Sequence, residues 1–173
     1  MNLVIRAVTM ATRHHFAELL TEASAWQKTQ GSEGWTYPFN DEWMIPRIER
    51  CEIFLAEIAG SPVAAMRILW EDRFYWDDRE QGDSIYLHTF AVKRSMGGLG
   101  IGGIIIEHLV ELGRSHARSK IRLDCSLSSA RLISYYERHG FRSVGSKFVS
   151  NKMMNLMERD IQTQTTDLGS THD

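Results

Sequence analysis

The chain has little of several things, and each scarcity removes a class of protein. It holds two cysteines, Cys51 and Cys125, far apart and outside any CxxC or Cys/His cluster, so neither a disulfide framework nor a metal site is expected. Such sparing cysteine usage fits a reducing compartment, and the expected location is cytoplasmic. No stretch approaches the ~18 consecutive apolar residues of a membrane span. The opening MNLVIRAVTM also lacks the apolar core of a signal peptide, so no membrane association is expected. An excess of one charge is missing too: 20 Lys and Arg stand against 22 Asp and Glu, a formal net charge of -2, which argues against nucleic acid as a partner.

What is there suits a globular enzyme-sized domain. The 173 residues are 43% hydrophobic and 24% charged, enough for one sizeable core. Residues 1–158 are expected to form a single domain, and residues 159–173, almost without apolar side chains, a disordered polar tail. Taken in order, residues 3–8 read as a strand. Phe16, Leu19, Leu20, Ala23 and Trp26 then mark an amphipathic helix that Gly31 and Gly34 end. After the aromatic loop GWTYPFNDEW, Asn40 or Asp41 can cap a second helix, which Pro46 restricts to its first turn. CEIFLAEIAG and PVAAMRILWED read as a hairpin about residues 59–62, and residues 72–82 as a loop. The remainder reads as a strand over 84–92, a glycine-rich loop and helix, and a strand over 121–125. A helix from Ser128 or Ser129 to Gly140 and strands over 141–144 and 148–156 complete it. The order indicates a mixed α/β sheet with helices on its faces.

The glycine-rich loop is the most informative stretch. Five of the eleven residues from Lys93 to Gly103 are glycine, following a β-rich strand and opening a helix, so unpaired N–H groups and a positive dipole end converge where backbone can approach closely. A phosphate ester is the expected guest. Gly98, Gly100 and Gly103 also satisfy GxGxxG, with Asp124 about 20 residues on, as a dinucleotide site requires. That reading fails on context, because residues 93–97 separate the glycines from the strand, the preceding hairpin has no place in a doubly wound sheet, and too little chain follows Asp124.

Two motifs instead resemble the GNAT superfamily of acyl-CoA-dependent N-acetyltransferases. Gly97-Gly98-Leu99-Gly100-Ile101-Gly102 occupies the six positions of that family's Arg/Gln-x-x-Gly-x-Gly/Ala loop, and the strand before it ends in Phe90-Ala91-Val92. Residues 129–141, SARLISYYERHGF, resemble the family's Asn…Tyr-Glu-x-x-Gly-Phe helix and turn. The resemblance implies a GNAT-like α/β (α+β) fold, a central twisted and mostly antiparallel sheet of about seven strands with helices on both faces. It also implies acetyl-CoA as acyl donor, its pyrophosphate on residues 97–102, its pantetheine arm along Phe90, Ala91 and Val92, and Ser129 and Tyr136 among the cofactor-binding residues. Two positions depart from the pattern: Gly97 replaces a cationic or amide side chain, and Ser129 replaces Asn.

The implied reaction is transfer of an acetyl group to a primary amine of a small molecule or peptide by direct attack. The runner-up is a degenerate coenzyme A-binding sensor. A homodimer is the assembly the family makes common. By motif position Tyr136 is the general acid, with the Val92 N–H as oxyanion donor and Tyr135 turned away into the core. His88, in the same strand and with an ordinary pKa of ~6.5, is the expected general base, and Tyr86 on the same face is placed to position a water. Glu52, Glu57 and Asp124 read as ordinary surface or strand-end carboxylates. Trp35 and Tyr37 are expected to line the acceptor pocket, Trp26 and Trp43 to be core. Phe74, Tyr75 and Trp76 are placed to close that cleft; Asp77, Asp78 and Glu80 either attract a cation to it or, within the run DDRE, are solvated surface. Cys125 on its short strand reads as an inert thiol.

Overall fold

The computed structural model describes residues 2–32, 34–35 and 37–161. Seven strands form one sheet: β1 (Leu3–Ala7), β2 (Ile53–Ile58), β3 (Ser61–Leu69), β4 (Ser84–Val92), β5 (Lys120–Ser126), β6 (Arg142–Val149) and β7 (Lys152–Asp160). Their order is β1-β2-β3-β4-β5-β7-β6, and every pairing is antiparallel except β4 with β5. The parallel pair sits at the centre because the helix between those strands supplies the crossover that parallel pairing needs.

Alternation along the strands sorts the core onto two faces. Ile85 and Leu87 of β4 and Ile121 and Leu123 of β5 pack against Ile101, Ile105, Ile106 and Leu109 of α4 (Ile101–Ser115) and Tyr136 of α5 (Ala130–Arg138). On the other face Ile53, Leu55, Ala65 and Ala91 meet Phe16, Leu19, Leu20 and Ala23 of α1 (Arg13–Thr29), together with Met44 of α2 (Asp41–Glu49). Trp76, Tyr86 and Leu156 form a third buried cluster beside them. No described helix is long and apolar enough to cross a membrane.

The structure departs from the sequence reading in three local places. Helix α2 runs through Pro46 to Glu49, with Asn40 Oδ1 accepting the Trp43 N–H at 3.1 Å. The bond Pro46 omits would go to a carbonyl in the first turn, so the helix survives it. Residues 72–82 are not a bare loop: Asp72 caps a one-turn helix, α3 (Arg73–Trp76), and a 3₁₀ turn follows over Asp77–Arg79. The last hairpin turns at Ser150 and Asn151, both in the left-handed region, and Gly145, which resembles a break, lies inside β6 at a register shift. A Cβ on Gly145 would meet the Arg79 guanidinium at 2.8 Å, whose Nη1 donates to the Val144 carbonyl. Strand β7 continues to Asp160, past the boundary expected at 158, and Ile161 is buried. Residues 162–173 of the expected tail lie outside the described residues.

Ile161 matters to α4. A Cβ on Gly113 would stand 2.6 Å from Ile161 Cδ1 and 3.1 Å from Ile85 Cγ2. Alanine in place of a mid-helix glycine ordinarily stabilises by ~1 kcal/mol. Gly113→Ala should instead destabilise by about 1–3 kcal/mol through overpacking. Chemical denaturation should show that loss shrinking when the same substitution is made in an Ile161→Ala background.

Candidate active site

The site begins where two paired strands part. Strand β4 pairs with β5 only from Ser84 opposite Lys120 to Leu87 opposite Leu123, and beyond that point the ladder stops although both strands continue. A bulge drives the divergence. Against β3 the register moves from Arg67 opposite His88 to Ala65 opposite Ala91, one residue more on β4 than on β3, and Thr89 there has φ of 48°. Past the bulge the Lys93 N–H donates to the Val63 carbonyl on β3 at 2.8 Å. Alternation in an antiparallel ladder then turns the Val92 N–H away from β3, into the opening on the β5 side.

A buried histidine spans the fork. His88 donates from Nδ1 to Asp124 Oδ1 at 2.8 Å and from Nε2 to Asp72 Oδ2 at 3.0 Å. Burial alone would lower its pKa, but the hydrogen bonds and charges of Asp124 and Asp72 outweigh that and raise it to about 9. Both ring nitrogens are therefore donors at neutral pH, and the free lone pair that a general base needs is not present. This corrects the expectation drawn from an ordinary histidine pKa. Asp72, which sequence reasoning missed, is fixed from three sides: its N–H donates to Glu80 Oε2, its Oδ1 accepts from the Tyr75 N–H, and its Oδ2 holds the histidine. Asp124 is likewise no ordinary strand-end carboxylate. Its Oδ2 has no hydrogen-bond partner among the described residues, and it lies on the unpaired end of β5.

On the α4 side the glycine loop forms the expected helix entrance. Gly98 and Gly100 adopt φ of 81° and 74°, which favour glycine, and α4 starts at Ile101. Gly102 and Gly103 serve a different need, close helix packing: a Cβ on Gly102 would strike the Tyr135 hydroxyl, and one on Gly103 would meet His139 Cε1 at 2.6 Å. Tyr135 is thus half-buried against the first turn of α4 and beside Phe90, not deep in the core. Tyr136 is the buried one of the pair, its ring against Phe141, and burial holds its hydroxyl well above the usual phenol range, fully protonated. Burial, with Asp124 adding, also pushes the neighbouring Cys125 thiol up to about 12, which leaves it unreactive. Ser129 stands at the N-cap of α5 without a side-chain capping bond.

The cation absent at position 97 is found nearby. Arg94 Nη2 comes within 3.9 Å of where a Gly97 Cβ would lie, and its guanidinium stacks on Trp26 at 3.7 Å. Arg131, from the first turn of α5, approaches the same indole at 5.8 Å. Trp26 is therefore half-buried under arginine and not the core residue expected, and neither guanidinium has a carboxylate partner among the described residues.

On the opposite face an aromatic group borders the fork. Tyr37 stacks on Trp43 at 5.6 Å, and Trp35 packs edge-on to Phe39 in the α1–α2 cluster. Tyr37 is raised by burial, while Thr89, Arg67 and Arg47 pull it down and Asp124 pushes it up, so its hydroxyl stands among those groups. Tyr75 lies 5.4 Å from His88. One expectation fails here. Tyr86 is fully buried beneath Trp76 and its hydroxyl bonds Arg122 Nη1 at 3.1 Å, so it braces the sheet and positions no water for an acceptor. Glu80 is buried against the N–H groups of Asp72 and Gly82, and Asp77 pairs with Lys147 at 2.9 Å, so neither is free to attract a cation.

Comparison with known proteins agrees with this geometry. The chain is 29% identical over 136 residues to the uncharacterized N-acetyltransferase YesJ of Bacillus subtilis (strain 168), spanning 74% of this chain and 75% of that protein. A GNAT-family acetyltransferase from Listeria monocytogenes 4b F2365 superposes with a TM-score of 0.75 and 27% identity, covering 91% of this chain and 94% of the other. The aminoglycoside acetyltransferase AAC(6')-Ib in complex with coenzyme A shares the fold, with a TM-score of 0.71 and 19% identity over 94% and 95% of the two chains. The family model for GNAT acetyltransferases matches residues 18–141, most of the sheet and both motifs, and the chain belongs to that family.

Proposed function

We propose that the chain is an N-acetyltransferase that takes an acetyl group from acetyl-CoA to a primary amine of a small molecule or peptide by direct attack. The fork between β4 and β5 carries this reading, because it opens unpaired backbone groups beside a buried tyrosine hydroxyl, a carboxylate and a glycine cradle. The residues fit a diphosphate ester: backbone N–H groups at the start of α4 and two uncompensated guanidinium groups stand at its entrance. Arg94 and Arg131 supply the charge whose absence at Gly97 motivated a binding-only alternative.

Acetyl-CoA, when bound, supplies an activated carbonyl and a thiolate leaving group. The Val92 N–H faces the opening and donates to the carbonyl oxygen as it gains charge. The Tyr136 hydroxyl, kept protonated by burial, donates its proton toward the departing sulfur and regains one from the second proton that the acylated nitrogen loses, so no buried tyrosinate remains. Asp124 Oδ2 holds the incoming ammonium and takes its proton, directly or through one water. His88 does not exchange protons in this scheme. It is a positioning residue whose two hydrogen bonds fix Asp124 and join it to Asp72.

Three outcomes are expected. Thiol release from acetyl-CoA across an amine panel should fall roughly 10²-fold in kcat for Tyr136→Phe, the scale of a lost general acid, with the melting temperature retained. Wild-type levels of turnover in that variant exclude the role. Titration calorimetry should show Arg94→Ala weakening acetyl-CoA binding by roughly tenfold, the worth of a charge-assisted contact. The third outcome concerns pH. The folded pKa of His88 is about 9 against an ordinary ~6.5, so the stabilisation is complete below pH ~6.5 and lost as pH rises through 9. Wild-type stability should decline by on the order of 3 kcal/mol over that window. His88→Gln should flatten the profile, and an unchanged slope in that variant would refute the assignment.

A further inference from the structure

The acceptor side of the fork carries a charge that the proposed chemistry leaves unused. Across the sheet face, Arg67 on β3 lies opposite Ile53 on β2 and opposite His88 on β4. Glu52, just before β2, is saturated: Oε2 accepts Arg67 Nε at 2.9 Å and Nη2 at 2.6 Å, and Oε1 accepts Arg50 Nε at 2.6 Å. Arg47 on α2 stands next to this group with no carboxylate partner among the described residues. Its guanidinium lies 4.0 Å over the Trp43 ring, Nη1 donates to the Trp43 carbonyl at 2.6 Å, and Nε is buried with no hydrogen-bond partner among the described residues. Burial first, then repulsion from Arg67, disfavours its charge. A half-buried guanidinium beside another arginine is a costly arrangement unless an anion comes to it.

The position of Arg47 says where that anion belongs. Tyr37, stacked on the same Trp43, lies within electrostatic reach of Asp124, Arg67 and Arg47. The cleft is therefore dipolar. At the fork, His88 between Asp72 and Asp124 sums to a formal charge of -1. At the α2 end, Arg47, Arg50 and Arg67 exceed Glu52 and the Glu49 that faces Arg50 by one positive charge. A wholly cationic amine would meet repulsion at that end, whereas a molecule with opposite charges at its two ends would meet its complement at both.

We infer that the acceptor is an amine that also carries an anionic group, its ammonium at Asp124 and its anion on Arg47. The inference rests on the proposed acetyltransferase reading. The Trp43 face is already occupied by the Arg47 guanidinium, which leaves no bare ring there for a cation.

The test compares matched acceptors by thiol release: amino acids against their amides, amino sugar phosphates against the free amino sugars, and polyamines. The wild type should prefer the anionic member of a pair by roughly 10- to 100-fold in kcat/KM, the scale of one charge-assisted contact. Whichever pair shows the larger preference identifies the anion as carboxylate or phosphate. In Arg47→Met that ratio should collapse toward one, and Arg47→Lys, which keeps the charge without the planar fork, should restore part of it. Preference for polyamines or neutral amines in the wild type overturns the inference, as does an undiminished ratio in a folded Arg47→Met protein. Should Arg47→Met not fold, the wild-type ratios and Arg47→Lys decide. Calorimetric binding of acetyl-CoA keeps the two levels apart: no binding and no turnover defeats the acetyltransferase reading, while binding with turnover of cationic amines only defeats this inference alone.

Discussion

The hydrogen-bonded bridge Asp72–His88–Asp124 is the constraint on which the rest of the site depends. An ionised imidazole cannot stay buried unless both N–H groups are answered, and here the two partners come from separate elements, the cap of α3 and the far end of β5. The bridge lies at the last point of contact between β4 and β5. It ties together strands whose ladder has just ended, so the opening beyond it has a fixed width and a fixed origin. Glu80 extends the same network outward by holding the N–H groups on both sides of the 3₁₀ turn, which ties the two ends of residues 72–82 to one carboxylate.

The two faces of the sheet divide the work by residue size. On one, Gly102 and Gly103 let α5 press Tyr135 and His139 against the first turn of α4, so the two helices at the cradle form one packed unit with Tyr136 held beneath it. On the other, bulky rings of the α1–α2 segment stack on one another and leave hydroxyl and guanidinium groups at the rim. Small residues therefore shape the glycine-loop side and large ones the α1–α2 side, which under the proposed reaction suits a near-constant phosphate ligand opposite a more selective pocket.

How much of this was legible in the sequence follows from how local each feature is. Helices α1, α4 and α5, the β2–β3 hairpin and the glycine loop announce themselves through periodicity, caps and turn residues within a few positions. The gap expected between residues 144 and 148 misled because the partner of Gly145, the Arg79 guanidinium, comes from a distant part of the chain. His88 misled for a similar cause: a reference pKa carries no trace of Asp72 and Asp124, which only the fold brings together. The apparent defect at Gly97 was read along the motif, whereas Arg94 fills the same space from three residues earlier, a substitution that a fixed spacing cannot reveal. The stacking of Tyr37 on Trp43 was not legible, and neither was the place of Arg47 over the same ring, since a helical arginine looks like surface until its neighbours are known.

Thr89 draws these threads to a different scale. A β-branched residue at φ of 48° stores backbone strain of order 1–3 kcal/mol, and it does so at the bulge that opens the fork. A glycine there would relax the chain and raise stability while loosening the strand that carries Val92. Selection for a sturdier protein and selection for a working one thus pull in opposite directions at this position. Descendants of this chain that have given up catalysis would be free to drift at residue 89 first.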